Sequence, residues 1–237
     1  MNDSRESKRK NILHRQSVTM IKGIIFLNAF LLLVSCAPSL YSVNIKYEPS
    51  RTAPKPTVME RKYPITIAVL NDARPAGDDL SVGRVVTSGG NQIPIIPRNL
   101  MPAKALTASL RDYMLKAGYT LTDEMPAWNL QENAIKKEWG RILIGGKIDT
   151  LEIVCNDKIP IKKYRADVKL SLFFADVQKG KIFYTISAAG STSLEHVRFS
   201  EEILEQQING ALSYAIEDIF AGNTVQTKIQ EILRRNP

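Results

Sequence analysis

The stretch ADVKLSLFFADVQKGKIFYTISA, residues 166–188, decides the fold. In its first half Ala166, Val168, Leu170, Leu172 and Phe174 stand at every second position, the period that turns one face of a strand toward a core. In its second half Ile182, Tyr184, Ile186 and Ala188 repeat that spacing. Val177-Gln178-Lys179-Gly180-Lys181 between them is turn chemistry, so the two runs predict an antiparallel hairpin. Upstream, Ile142, Ile144 and Ile148 share one parity while Leu151, Ile153 and Cys155 share the other. That change of parity predicts a third strand with a bulge or register break near 149–151.

Working outward, a helix is predicted on each side of this meander. Leu106, Leu110, Tyr113, Met114 and Ala117 form one apolar stripe, with Pro102 at the start and Gly118 at the stop. Leu204, Ile208, Ala211, Leu212, Ala215, Ile216 and Ile219 form another, opened by Ser200 as N-cap with Glu201 and Glu202 in the first turn. A final helical piece carries Ile229, Ile232 and Leu233. Before them Ile65-Thr66-Ile67-Ala68-Val69-Leu70 reads as a strand ending in the turn residues Asn71-Asp72-Ala73-Arg74-Pro75. Residues 76–99, rich in Gly and Pro, read as a long loop with room for a short hairpin, and the polar segment containing Trp128 and Trp139 has room for a short helix. The expected fold is therefore α+β: a four-stranded mixed or antiparallel sheet with two long helices on one face, in the order β-α-(α)-β-β-β-α.

The N-terminus carries a different message. Arg5, Lys8, Arg9, Lys10 and Arg15 precede the apolar run IIFLNAFLLLV at 24–34, which ends at Ser35-Cys36-Ala37-Pro38. That run suits the apolar core of a signal peptide and is too short for an ordinary membrane span. Basic flank, apolar core and small residues before a cysteine resemble a bacterial lipobox. The resemblance implies acylation of Cys36 as the first residue of the processed chain, and Ala37 after it implies the periplasmic face of the outer membrane. Translation from Met20 rather than Met1 would shorten an unusually long basic leader, and the reading favours it. The expected organisation is a signal peptide at 1–35, the lipidated cysteine and a proline-rich flexible leash at 36–63, and one periplasmic domain at 64–237.

Composition excludes several classes. The chain has 237 residues, 44% of them apolar and 24% charged, with 2 cysteines. These values argue against disordered, collagenous and disulfide-framework classes. Removing residues 1–35 would lower the formal net charge from +8 to +4. Aromatics amount to only 7% and do not interleave with basic residues on a strand face, so no nucleic-acid partner is expected.

The lipobox, the strand running into Val69-x-x-Asp72-x-Arg74, the helix ending Ala117-Gly118-Tyr119, the hairpin and the Glu201-Glu202 helix together resemble the YajG-type family of bacterial envelope lipoproteins over residues 60–220. That family has no assigned reaction or cofactor, so the resemblance implies location and fold but no catalytic residue. The insertion with Trp128, Lys136, Lys137 and Trp139 departs from its pattern.

Candidates for chemistry are few. His196 is the one histidine after the signal region and lacks a G-x-S-x-G partner, so no catalytic residue is assigned. Cys155 sits in a strand pattern and reads as a small buried hydrophobe, so no metal and no cofactor are expected. Asp72 and Arg74 flank a strand end, where they can pair with each other or face a ligand. Trp128 and Trp139 in a polar insertion suggest either an exposed binding wedge or packed side chains. Lys158, Lys162, Lys163 and Arg165 gather at a turn, where they are either solvated surface or a contact for anionic headgroups. The expected function is a non-enzymatic binding or assembly module, anchored to the bilayer through Cys36 and docking an envelope protein or cell-wall component. The rival is a carrier of lipid or another hydrophobic ligand in an envelope transport system.

Overall fold

The structure, a computed structural model, describes residues 40–50, 64–75 and 80–234. Within these residues the chain forms β1 (Tyr41–Val43), β2 (Ile65–Ile67), β3 (Asn71–Asp72), β4 (Gly83–Thr87), β5 (Gln92–Pro97), α1 (Pro102–Lys116), a 3-10 turn (Glu132–Ala134), β6 (Ile142–Asp157), β7 (Lys162–Asp176), β8 (Lys181–His196), α2 (Glu201–Ala221) and α3 (Asn223–Arg234).

The predicted meander is its backbone. β6 pairs antiparallel with β7 from Ile142↔Asp176 to Asp157↔Lys162, with a register shift between Ile148 and Thr150 where the parity changes. β7 pairs with β8 along its whole length. Helix α1 buries its stripe with Pro102 at its start, and Gly118 takes φ +84° just beyond its end. There Tyr119 N donates to Met114 O at 3.0 Å, closing the last turn. Ser200 is extended, as an N-cap is, but its hydroxyl turns to Glu202 instead of a backbone N–H.

The expected four-stranded sheet with two long helices in the order β-α-(α)-β-β-β-α is wrong, since five short strands precede α1 and three helices are present among the described residues. Among the described residues the sheet has eight strands in the order β1-β5-β4-β6-β7-β8, with β2 and β3 also paired to β6. Three causes account for the difference. β6 is sixteen residues long, enough for β2, β3 and β4 to lie in line along one side of it, all parallel, at Ile142–Ile144, Lys147–Ile148 and Ile153–Asp157. The Gly- and Pro-rich segment forms the β4–β5 hairpin, Val85 facing Ile93. Lastly, β1 adds to β5 in parallel, Tyr41↔Ile95 to Val43↔Pro97.

That last strand also corrects the leash, since residues 40–50 belong to the domain. Val43, Ile45 and Tyr47 point inward and are buried. The alternate backbone N–H groups of Ser42, Asn44, Lys46, Glu48 and Ser50 donate to Glu201, Glu205, Asn209, Ser213 and Glu217, at 3.4, 2.9, 3.0, 2.9 and 3.0 Å. Two residues of extended chain advance about 6.6 Å and four of helix about 6 Å, so the two periods stay in step over five contacts.

The helices cover one face of the sheet. Leu106, Leu110, Leu212, Ile216 and Ile229 join Ile144, Ile148, Leu170 and Leu172 in one continuous buried cluster. Gly190 in β8 lets α2 come close, because a Cβ there would collide with the backbone of Ala211. On the opposite face a smaller cluster of Trp128, Trp139, Leu143, Ala175 and Val177 caps the other side of β6 and β7.

Candidate functional site

A cleft of about 850 Å³ opens where β3 and β4 meet β6 beside the first turn of α1. The register break in β6 builds its floor: Asp149 leaves the ladder there, and Thr150, Leu151 and Glu152 resume it. Pro102 and Ala103 of α1 line it together with Ser81, Gly83 and Arg84.

Asp72 and Arg74 lie in this cleft. Arg74 Nε and Nη2 donate to Asp72 Oδ1 and Oδ2 at 2.8 and 2.7 Å, a bidentate pair. Arg74 Nη1 donates to Ser81 O at 2.7 Å and Leu151 O at 3.4 Å. The guanidinium thus ties β3, the approach to β4 and the resumed β6 together, and these bonds make the pair a brace of the cleft wall. The Arg74 hydrogen bonds hold the Asp72 carboxyl below its ordinary value. Arg84 and Glu152 pair across the rim at 2.6 Å with both side chains well exposed, and Ser171 Oγ donates to Asp149 Oδ2 at 2.5 Å. Two ion pairs, Asp72–Arg74 and Arg84–Glu152, therefore line the cleft beside the hydrogen-bonded Asp149.

Trp128 and Trp139 do not form an exposed wedge. They are 2% and 7% exposed and pack on the sheet. Trp128 lies over Gly145, where any Cβ would strike the indole, and its Nε1 donates to Gln131 O at 2.9 Å. Asn71 Nδ2 donates to Trp128 O at 3.0 Å, which links the insertion to β3 but leaves the rings outside the cleft. His196 is exposed at the end of β8, with its Nδ1 engaged by Arg198 of the same turn. Cys155 is buried in β6, and burial pushes its thiol up to about 11. Among the described residues no cluster of three or more His, Cys, Asp or Glu side chains is arranged to hold a metal ion. Cys36 lies outside the described residues.

Sequence reasoning missed the polar row of α2 and the other cleft residues. The row had a signal: Glu201, Glu205, Asn209, Ser213 and Glu217 are spaced four apart beside the apolar stripe, and Val43, Ile45 and Tyr47 alternate. The cleft residues Ser81, Gln92, Asp149, Thr150 and Glu152 had none, because they converge only once β4 docks on β6.

No family model matches the chain, and the comparison with curated proteins returns no match. Solved structures similar to the chain do exist. A protein from Xanthomonas campestris described by the family model DUF330 superposes with a TM-score of 0.50 at 10% identity, over 81% of this chain and 99% of that one. A putative neuraminyllactose-binding hemagglutinin homolog from Helicobacter pylori gives 0.43 at 12%, over 78% and 98%. The lipoprotein GNA1162 from Neisseria meningitidis gives 0.35 at 13%, over 67% and 98%. At these identities the likeness to the Xanthomonas protein speaks for the fold, and the two lower scores carry no further argument. Among the described residues no helix is long and apolar enough to cross a membrane.

Proposed function

We propose that the chain is a lipid-anchored lipoprotein of the bacterial envelope, held on the periplasmic face of the outer membrane, that acts as a non-enzymatic binding or assembly module. The lipobox-like ending at Cys36 carries this reading, and the YajG-type resemblance points the same way. The start of the domain supports it: Leu40, four residues after Cys36, leads directly into β1, so an acyl anchor at that cysteine would hold the whole sheet beside the bilayer. Two surfaces suit a partner. One is the ion-lined cleft; the other is β8, sixteen residues long and paired as a strand only with β7 among the described residues, whose outer edge beyond Ile182, where Glu132 accepts from the backbone, is a template for strand addition. The carrier reading is less well served, because the interface between helices and sheet is occupied by one continuous apolar cluster.

Intact-mass analysis and membrane fractionation of the full chain beside Cys36→Ser test the anchor. The expected result is an acylated species beginning at Cys36 in the membrane fraction and release of the variant into the soluble fraction. Membrane retention of Cys36→Ser, or an unprocessed soluble chain, would overturn the proposal. Photocrosslinkers at Thr185 on the β8 edge and at Gln92 in the cleft then test which surface meets the partner.

A further inference from the structure

We propose that the end of the sheet formed by the β6–β7 turn and the β8–α2 turn rests on the surface of an anionic phospholipid bilayer. The inference rests on the lipid-anchor reading and adds which face of the domain the anchor presents.

Strand directions determine that face. β6 runs toward its turn at residues 158–161, β4 is parallel to β6, β5 is antiparallel to β4, and β1 is parallel to β5. The chain therefore enters β1 from the side of the β6–β7 turn. Tyr41 is level with Ile95, Gly83, Ile153, Ala166 and Thr192 across the sheet. From that row to the strand ends at Asp157, Lys162 and His196 is four residues, about 13 Å. Cys36 precedes Tyr41 by five residues, a reach of about 18 Å at full extension. With the strands upright on the bilayer, an acylated Cys36 at full reach would leave this end about 5 Å of clearance, so a tether at that cysteine is short enough to bring this end to the lipid.

The side chains at that end match a headgroup surface. Ile159 is 82% exposed and Val197 is 67% exposed, with Leu40, Ile161 and Leu194 also exposed. Exposed apolar side chains gathered at two adjacent turns suit a surface that meets a lipid interface. Charge is arranged around them. Asp157 is paired with Lys162 at 2.6 Å and Glu195 with Lys163 at 2.8 Å. On the first turn of α2, Arg98 faces Glu201, and Glu202 accepts from Ser200. Lys158 and Arg198, both exposed, are not taken up by these pairs and are placed to meet lipid phosphates. The β8–α2 turn is held firmly, since Tyr164 Oη donates to Arg198 O and accepts from Ser200 N, both at 3.1 Å, and the ring centroids of Tyr41 and Phe199 lie 4.7 Å apart.

The test uses the full chain, taken from the membrane fraction and reconstituted into vesicles of phosphatidylcholine with phosphatidylglycerol. Single cysteines replace Ile159, Val197 or, at the far end of the sheet, Lys179, and carry an environment-sensitive fluorophore. Cys155 is buried and stays unlabelled. The sixteen residues of β6 separate the two ends by about 50 Å. The expected result is a blue shift and loss of most fluorescence to headgroup-quencher lipids at 159 and 197, with the label at 179 unchanged. Vesicles of phosphatidylcholine alone should reduce both effects. A chain that floats with the vesicles while 159 and 197 stay unquenched overturns this inference alone. A chain that fails to float overturns the anchor reading and this inference with it.

Discussion

Replacing Asn209 by alanine tests the bond between the first strand and α2. Asn209 is fully buried; its Oδ1 accepts from Lys46 N at 3.0 Å and its Nδ2 donates to Asn44 O at 3.1 Å. One side chain therefore satisfies both a donor and an acceptor of the same extended segment. Asn209→Ala removes both bonds and strands two backbone groups beside a buried stripe of Val43, Ile45 and Tyr47. A lost hydrogen bond costs about 1 kcal/mol net, and a buried group left unsatisfied costs about 1–3 kcal/mol. The expected destabilisation is about 2–4 kcal/mol, or about 4–16 °C in thermal midpoint for a domain of this size. Ser213→Ala, which removes one acceptor from Glu48 N, should cost about half as much. Urea unfolding of the Cys36→Ser chain, with amide exchange of residues 42–50, reads both effects. Stability within about 0.5 kcal/mol of the parent, with protection at 44 and 46 unchanged, would refute the account of this segment as hydrogen-bonded to α2.

Two further outcomes follow from the packing and the cleft. Gly190→Val should lower stability by several kcal/mol or prevent folding, because its Cβ would meet the backbone of Ala211 with no flexible side chain to give way; a parent-like melting curve would contradict the close approach of α2 to β8. Asp72→Asn should destabilise the chain at neutral pH, and the difference should shrink in acid. Asp72 has its folded value lowered by Arg74, so its contribution is present above the unfolded carboxylate value of about 4 and is lost as pH falls through the lower folded value. A wild-type minus Asp72→Asn difference that stays constant from neutral pH down to about pH 2 would contradict the pairing.

The site is legible in sequence to the degree that its parts are local. Asp72 and Arg74 stand two residues apart at a strand end, so sequence shows that they can pair, and the structure shows that they do. Their cleft could not, because Ser81, Gln92 and Glu152 reach it from β4, β5 and β6. Trp128 and Trp139 are ambiguous in sequence for a related reason: the residues that bury them, Leu143, Ala175 and Val177, lie on β6, on β7 and in the turn after it.

By itself the sequence determined what depends on short-range periodicity and local chemistry. The alternation at 166–188 dictated the hairpin, the parity change at 149–151 the register break, and the stripes of α1 and α2 their buried faces. These patterns are repeated over enough residues that one geometry satisfies them. The tertiary structure alone decided the width of the sheet and the place of residues 40–50. Whereas β2 is legible from its run of β-branched residues, short strands such as β1 and β3, of three and two residues, carry too little pattern to declare themselves. They become strands because β6 offers a long open edge and because α2 presents an acceptor every four residues to an extended chain. Backbone groups in such segments must find partners once buried, and which partners they find is settled by elements more than a hundred residues away.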